Sequence, residues 1–452
     1  MRAPILTVLG LTSALALCPS AARAGEGRGN GPEILCGPYA VDPRSDGATV
    51  CWQTAGASRG AVRFRSGDGG SWREEREAGS ARFHAVRLTG LPPGAETSVE
   101  ALDRPGGTAL GAMAFRTAPA AGDERPFTFL VHGDTQTVAG HSRVSRAMAA
   151  ETARLARPAF VLHLGDLAGD GYDGPELARQ FFGPEAALLA RMPIVAVRGN
   201  HDIDDEVFAG CFPRPEPTGH MGANDYLVDY GPLRLLVLDG NRPARTRDRR
   251  MNWLREALDG ARGRWRVVAV HQPPYSRGDH GIDEEEGMAL RSLLDPYLAA
   301  GRVHAVFSGH DHDYQRSRPV EGVTYFVSGG GGALVQHRPR TGPQDWSERY
   351  EPTLNFLTVT VDGSRMTVRA FRPARQEGAD FEMFDSVEIP RECDWPAVDL
   401  SSAPEVEYRY EDIRPNPLRV WLVAGGSVLL GLALIVKLAR RVRRKPPAGE
   451  PA

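Results

Sequence analysis

The sequence predicts an α/β protein in two parts, a small all-β unit followed by a larger unit of buried strands flanked by helices, with an apolar segment at each end. Three observations carry this. Short strand-like runs separated by Pro- and Gly-rich turns fill residues 31–118, apolar strands alternate with helical stretches from Phe127 onward, and metal-ligating side chains recur directly after those later strands. At 452 residues, 41% hydrophobic and 25% charged, the chain is long enough for two globular units plus accessory segments. A formal net charge of −3 gives no overall attraction to nucleic acid, and no nucleic acid is expected as a specific partner.

In chain order, Arg2, the apolar run 5–17 and the small-x-small site Ala22-Arg23-Ala24 read as a secretory signal over residues 1–24. Within 31–118, strand-like runs fall at 48–53, 60–65, 82–88, 97–102 and 112–116, divided by turns such as Pro92-Pro93-Gly94 and Pro105-Gly106-Gly107. A short polar linker leads into residues 126–390, where strands at 127–131, 159–163, 194–197, 267–270 and 303–307 alternate with helices at 142–156, 252–258 and 284–299. A closing set of strands follows at 323–327, 355–361, 365–371 and 383–389. Residues 391–418, rich in acids and proline, read as a stalk, and 419–439 as one C-terminal transmembrane helix just long enough to cross a hydrocarbon core of about 30 Å. Arg440, Arg441, Arg443, Arg444 and Lys445 place the 440–452 tail in the cytoplasm and everything before it outside, in the periplasm or on the cell surface. A sorting tail that is recognised and removed fits the same pattern.

Export permits disulfides. Cys36 and Cys51, on the first two strands with a turn-rich stretch between them, are expected to pair, which leaves Cys211 for Cys393.

The chemistry lies in five pieces: Gly133-Asp134-Thr135-Gln136, Gly165-Asp166, Gly199-Asn200-His201-Asp202, His271, and Gly309-His310-Asp311-His312. Each follows a predicted strand, and α/β domains gather ligands where strands end. Two ions a few ångströms apart acidify a bound water and clamp the oxygens of a phosphoester, and such a pair needs oxygen and imidazole ligands with at least one carboxylate shared. Taken singly, each segment reads as a turn or a hydrogen-bonded rim residue. Five in this order read as a dinuclear site. His84, His141, His163, His220, His304 and His337 match no motif, and Asp283 to Glu286 reads as the solvated start of a helix.

The ordered set is similar to that of the calcineurin-like metallophosphoesterases, and His271-Gln272-Pro273-Pro274-Tyr275 with Gly309-His310-Asp311-His312-Asp313-Tyr314-Gln315-Arg316-Ser317 resembles the purple acid phosphatase branch. Val50-Cys51-Trp52-Gln53-Thr54, Arg87 through Gly94 and Phe115 through Pro119 resemble the fibronectin type III-like domain that precedes the catalytic domain in that branch. The resemblance covers about residues 31 to 390. It implies a β-sandwich of two βαβαβ halves flanked by helices, hydrolysing phosphate monoesters of small molecules or phosphoproteins. A phosphodiesterase or nucleotidase is the alternative within enzymes, and a surface binding protein with an inactive domain the alternative outside them. Carried over by position, Asp134 and His312 would hold one metal, Asn200, His271 and His310 the other, and Asp166 would bridge. His201 would contact the substrate phosphate and nucleophile, and His280 would protonate the leaving alkoxide. Gln136 stands where wider relatives place a histidine, and its amide oxygen can coordinate. The tyrosine that binds ferric iron is replaced by Gly169, with Tyr172 nearby but out of step, so two divalent ions (manganese, iron or zinc) are expected rather than a coloured ferric centre.

Overall fold

The computed structural model describes residues 32–400 apart from 68, 156–157, 172–173, 215–223, 242–246, 262, 282–284, 336–337, 376–379 and 399. The leader, most of the stalk, the transmembrane segment and the tail expected above lie outside the described residues, as do Tyr172, His220 and His337.

The amino-terminal part contributes β1 (Ile34–Arg44), β2 (Gly47–Ser58), β3 (Ala61–Ser66), β4 (Arg73–Arg76), β5 (Ala81–Leu88), β6 (Glu96–Leu102) and β7 (Ala109–Arg116). The second part begins with β8 (Phe127–His132), α1 (Val138–Thr152), β9 (Pro158–His163), α2 (Gly174–Leu177), α3 (Gly183–Leu189), β10 (Ile194–Ala196), α4 (Asp205–Cys211), β11 (Tyr226–Tyr230) and β12 (Leu233–Leu238). It continues through α5 (Arg247–Asp259), β13 (Trp265–Val270), α6 (Glu285–Ala300), β14 (Ala305–Ser308), β15 (Tyr314–Ser317), β16 (Thr324–Ser328), β17 (Ser347–Glu351), β18 (Phe356–Asp362), β19 (Arg365–Pro373) and β20 (Phe381–Pro390). The hairpin β11–β12 was not anticipated from the sequence.

Two mixed sheets form the larger part, one in the order β20-β19-β18-β8-β9-β10-β1-β2-β5 and the other β11-β12-β13-β14-β16-β15-β17. Alternation along the strands explains the layering. Phe127, Phe129 and Val131 of β8, with Trp265, Val267 and Ala269 of β13, point into the core between the sheets. Their neighbours point the other way: Leu130 packs under α1 and α3, whereas Val268 and Val270 pack under α5 and α6. Both faces of these central strands are therefore buried, which is why they read as unbroken apolar runs.

The amino-terminal strands form a sandwich, in which β1, β2 and β5 share a core with the sheet β4-β3-β6-β7. This sandwich is not closed on itself. Val41 of β1 pairs in parallel with Ile194 of β10, so one of its sheets runs on into the larger domain.

The expected disulfides are not formed: Cys36, Cys51, Cys211 and Cys393 are all free thiols. Register is the reason for the first pair, because Cys36 lies opposite Gln53 whereas Cys51 lies opposite Tyr39 across an irregular stretch of the β1–β2 ladder. Cys211 and Cys393 pack against different cores. Burial pushes the Cys36 thiol up to about 12, which keeps it protonated and unreactive.

Candidate metal centre

The parallel strands β8, β9 and β10 in one sheet and β13 and β14 in the other end at one rim. Asp134 follows β8, Asp166 follows β9, Asn200 and His201 follow β10, His271 follows β13, and His310 and His312 follow β14. The turns are tight. Asp134, Asp166 and His310 all have left-handed backbone angles, with φ of 60°, 57° and 71°, a conformation that costs a non-glycine residue roughly 1–3 kcal/mol and persists where the surroundings fix it. Two glycines make the crossing possible: a Cβ on Gly165 would lie 2.7 Å from His271 Nδ1, and one on Gly199 would lie 2.1 Å from Asp166 Oδ1.

His271 donates from Nδ1 to the Leu164 carbonyl at 2.7 Å, which leaves Nε2 as the nitrogen whose lone pair a proton or an ion can take. That lone pair faces Asn200 Oδ1 at 3.0 Å, His310 Nδ1 at 3.2 Å and Asp166 Oδ1 at 3.4 Å. Asp166, His271 and His310 are buried, and their ligating atoms all lie within 4.8 Å of one another. Four acceptors converging with so few protons between them are the donor set of a cation, so the residues present fit a metal ion. Beside them, the buried Asp134 carboxylate accepts the His310 backbone N–H, and His312 Nε2 stands 3.6 Å from its Oδ1. His312 is oriented by donating Nδ1–H to the Leu334 carbonyl at 3.0 Å. Gln136 meets this group through its amide, with Nε2 2.9 Å from Asp166 Oδ2.

Burial alone would lower His271, but the Asp166 and Asp134 carboxylates hold it up at about 10. Burial would likewise raise Asp166, yet the surrounding His271, His201 and His310 bring it below the usual carboxylate range. Proton and metal would thus compete for one position, and an ion bound there would displace the proton.

His201 and His280 complete the rim. The His201 backbone N–H donates to Asp166 Oδ1 at 2.9 Å, and its Nδ1–H donates to the Gly169 carbonyl at 2.5 Å, which turns Nε2 away from that anchor. The His280 ring lies against that of His310, centroids 3.7 Å apart. All nine residues singled out from the sequence meet here. At Gly169 a Cβ would have room, 3.6 Å from Gln180 Oε1 and 3.7 Å from Glu176 Oε1.

Several residues support the site: Asp202 and Asp311 lie inside the segments singled out from the sequence as supporting or solvated side chains, whereas Arg198 and Asn241 escaped that reading. Asp202 is buried and clamps two loops, accepting from the backbone N–H of Asp166 (3.0 Å), Leu167 (3.1 Å) and Gly199 (2.8 Å). Asp311, also buried, takes the Ser276 hydroxyl and the His280 N–H and so fixes the 276–281 loop. Arg198 holds the carbonyls of Asp202 and Ile203, and Asn241 holds those of Arg198 and Gly199. Asn241 was findable in principle, since it too follows a strand directed at this rim, β12. The segment 338–349 docks on the same loop, with the Arg340 N–H 2.8 Å from the Arg277 carbonyl.

Residues 127–314 match the family model of the calcineurin-like phosphoesterases, and the chain is similar in sequence to purple acid phosphatases. It is 28% identical to purple acid phosphatase 5 of Arabidopsis thaliana over 47% of this chain and 50% of that protein, so it spans half the length of that relative. It is 29% identical to a probable cyclic nucleotide phosphodiesterase of Rhodococcus erythropolis over 45% of this chain and 71% of that one. Its fold is shared with purple acid phosphatase PPD1 from yellow lupin (Lupinus luteus) seeds, with a TM-score of 0.65 and 17% identity over 82% of this chain and 78% of that one.

Proposed function

We propose that the protein hydrolyses phosphate monoesters with a pair of divalent ions, one held by Asn200, His271 and His310, the other by Asp134 and His312 with Gln136 alongside, and Asp166 shared between them. The observation that supports this is the convergence of buried carboxylates and imidazole nitrogens at one rim. When bound, such a pair acidifies a water and neutralises phosphate charge. The chain's own residues do the rest. His201, anchored through Nδ1 on the Gly169 carbonyl, offers Nε2 to a phosphate oxygen, and the backbone clamp from Asp202 keeps its loop from drifting. His280, held over His310 by Asp311, carries the proton that the leaving alkoxide needs. Gly169 offers no phenolate, so a divalent pair and a colourless enzyme follow, and a visible absorption band lost on reduction would contradict this.

A diesterase is the second reading, favoured by the likeness to the Rhodococcus protein. Turnover of an aryl phosphate and a bis-aryl phosphate by the purified protein separates the two: faster monoester hydrolysis is expected, and preference for the diester would overturn the monoesterase. The substrate is proposed to be a phosphorylated small molecule or phosphoprotein, met outside the cytoplasm by a membrane-tethered enzyme. That part of the reading rests on the leader at 1–24 and the apolar, Arg-flanked segment at 419–439.

A further inference from the structure

Behind the candidate metal centre lies a second cluster of buried ligating groups: His132 at the end of β8, His141 on α1 and Glu185 on α3, none of them exposed to solvent. Their ligating atoms lie within 4.8 Å of one another, as do those of Asp166, His271 and His310. We propose that His132, His141 and Glu185 bind a structural divalent ion of the zinc class, separate from the dinuclear pair.

The hydrogen bonding supports it. His141 donates from Nδ1 to the Gln180 carbonyl at 2.8 Å, which leaves Nε2, 2.9 Å from Glu185 Oε1, as the nitrogen whose lone pair an ion would take. His132 Nε2 stands 3.0 Å from the same oxygen but not in hydrogen-bonding alignment, and both ring nitrogens of this fully buried histidine are without a hydrogen-bond partner. A buried polar group in that condition is costly unless something else binds it. Three ligands at zinc bond lengths around a tetrahedral ion sit about 3.3 Å apart, against 2.9 and 3.0 Å from the two imidazoles to Glu185 Oε1. The other carboxylate oxygen is approached by the Ser145 hydroxyl at 3.4 Å, as a ligand held from outside its coordination sphere would be.

His163 packs edge-on against His132 but is not a ligand. It accepts the Gly165 N–H on Nδ1, and its Nε2 lies 3.3 Å from the Thr135 hydroxyl, so both nitrogens are used. Such an ion would fasten α1 and α3 to the strand end that leads, two residues on, into Asp134. The proposal does not depend on the hydrolase reading, because it concerns ion content and stability.

The test uses the full chain carrying Asp134→Ala, Asp166→Ala and His271→Ala, which removes the pair. After dialysis it is expected to retain one ion per chain by elemental analysis, and a chelator should lower its Tm until zinc alone restores it. Adding Glu185→Gln to that variant should remove the last ion and abolish the response of Tm to zinc. Should the triple variant fail to fold, wild type against Glu185→Gln gives the same answer as three ions against two. A pair-free variant holding no ion, with a Tm indifferent to chelator and zinc, would overturn the proposal, and so would an ion count unchanged by Glu185→Gln. Either result would mean that protonated histidines alone neutralise Glu185.

Discussion

Two clusters of the same composition, each two histidines and a carboxylate, are both buried but stand in different settings. Asp166, His271 and His310 stand on loops where two sheets converge, next to the exposed Asn200 and the half-buried His201, His280 and His312. His132, His141 and Glu185 stand on a strand end and two helices, sealed beneath the hydrophobic layer that joins α1 and α3 to the sheet. The composition alone therefore does not make an active site. Access for an anion does, together with a shared carboxylate and proton donors that are positioned but not consumed by the fold.

The largest expected effect breaks the open cluster. Asp166→Ala removes the shared carboxylate and the acceptor of the His201 N–H, so the pair should be lost from elemental analysis and turnover should fall to background. His201→Ala should instead keep the pair while kcat falls roughly 10²–10³-fold, since it removes a transition-state contact and no ligand. His280→Ala sharpens the distinction between the two histidines. Its loss should be large for an alkyl phosphate and small for an aryl phosphate, whose leaving group needs no proton, and equal losses on both would contradict proton donation. Asn241→Ala, which frees the carbonyls of Arg198 and Gly199, should cost on the order of 10–100-fold in metal affinity or activity with the fold intact.

The smallest effect lies far from both clusters and shows only in acid. His304, tilted against Trp265 and met edge-on by Trp395, is pulled by burial down to about 4. Its folded value lies below the unfolded one, so stability is full above about pH 6.5 and falls as the pH drops toward 4, by up to about 3 kcal/mol. Denaturant unfolding of His304→Phe should show a flatter acid limb than wild type, and an unchanged limb would remove this histidine from the account.

The contrast between the clusters also explains what could be read from the sequence. Asp134, Asp166, Asn200, His271, His310 and His312 were legible because strand ends print their ligands in chain order, next to glycines that allow close crossing. His141 and Glu185 were not, because helix positions 44 residues apart carry no local signature and become neighbours only when α1 and α3 pack. The alternating strands from Phe127 onward were legible for the same local reason. The joining of β1 to β10 was not, since one long-range pair of residues decides it. Cys36 and Cys51 misled because adjacency of strands was legible and register was not.

Under the proposed function, turnover depends on divalent ions held by the open cluster. Chelator-treated protein should lose hydrolysis of an aryl phosphate, and manganese or zinc should restore it with a proton released on binding as His271 gives up its shared position. Full turnover in protein shown by elemental analysis to hold no ion at Asp166, His271 and His310 would contradict the account.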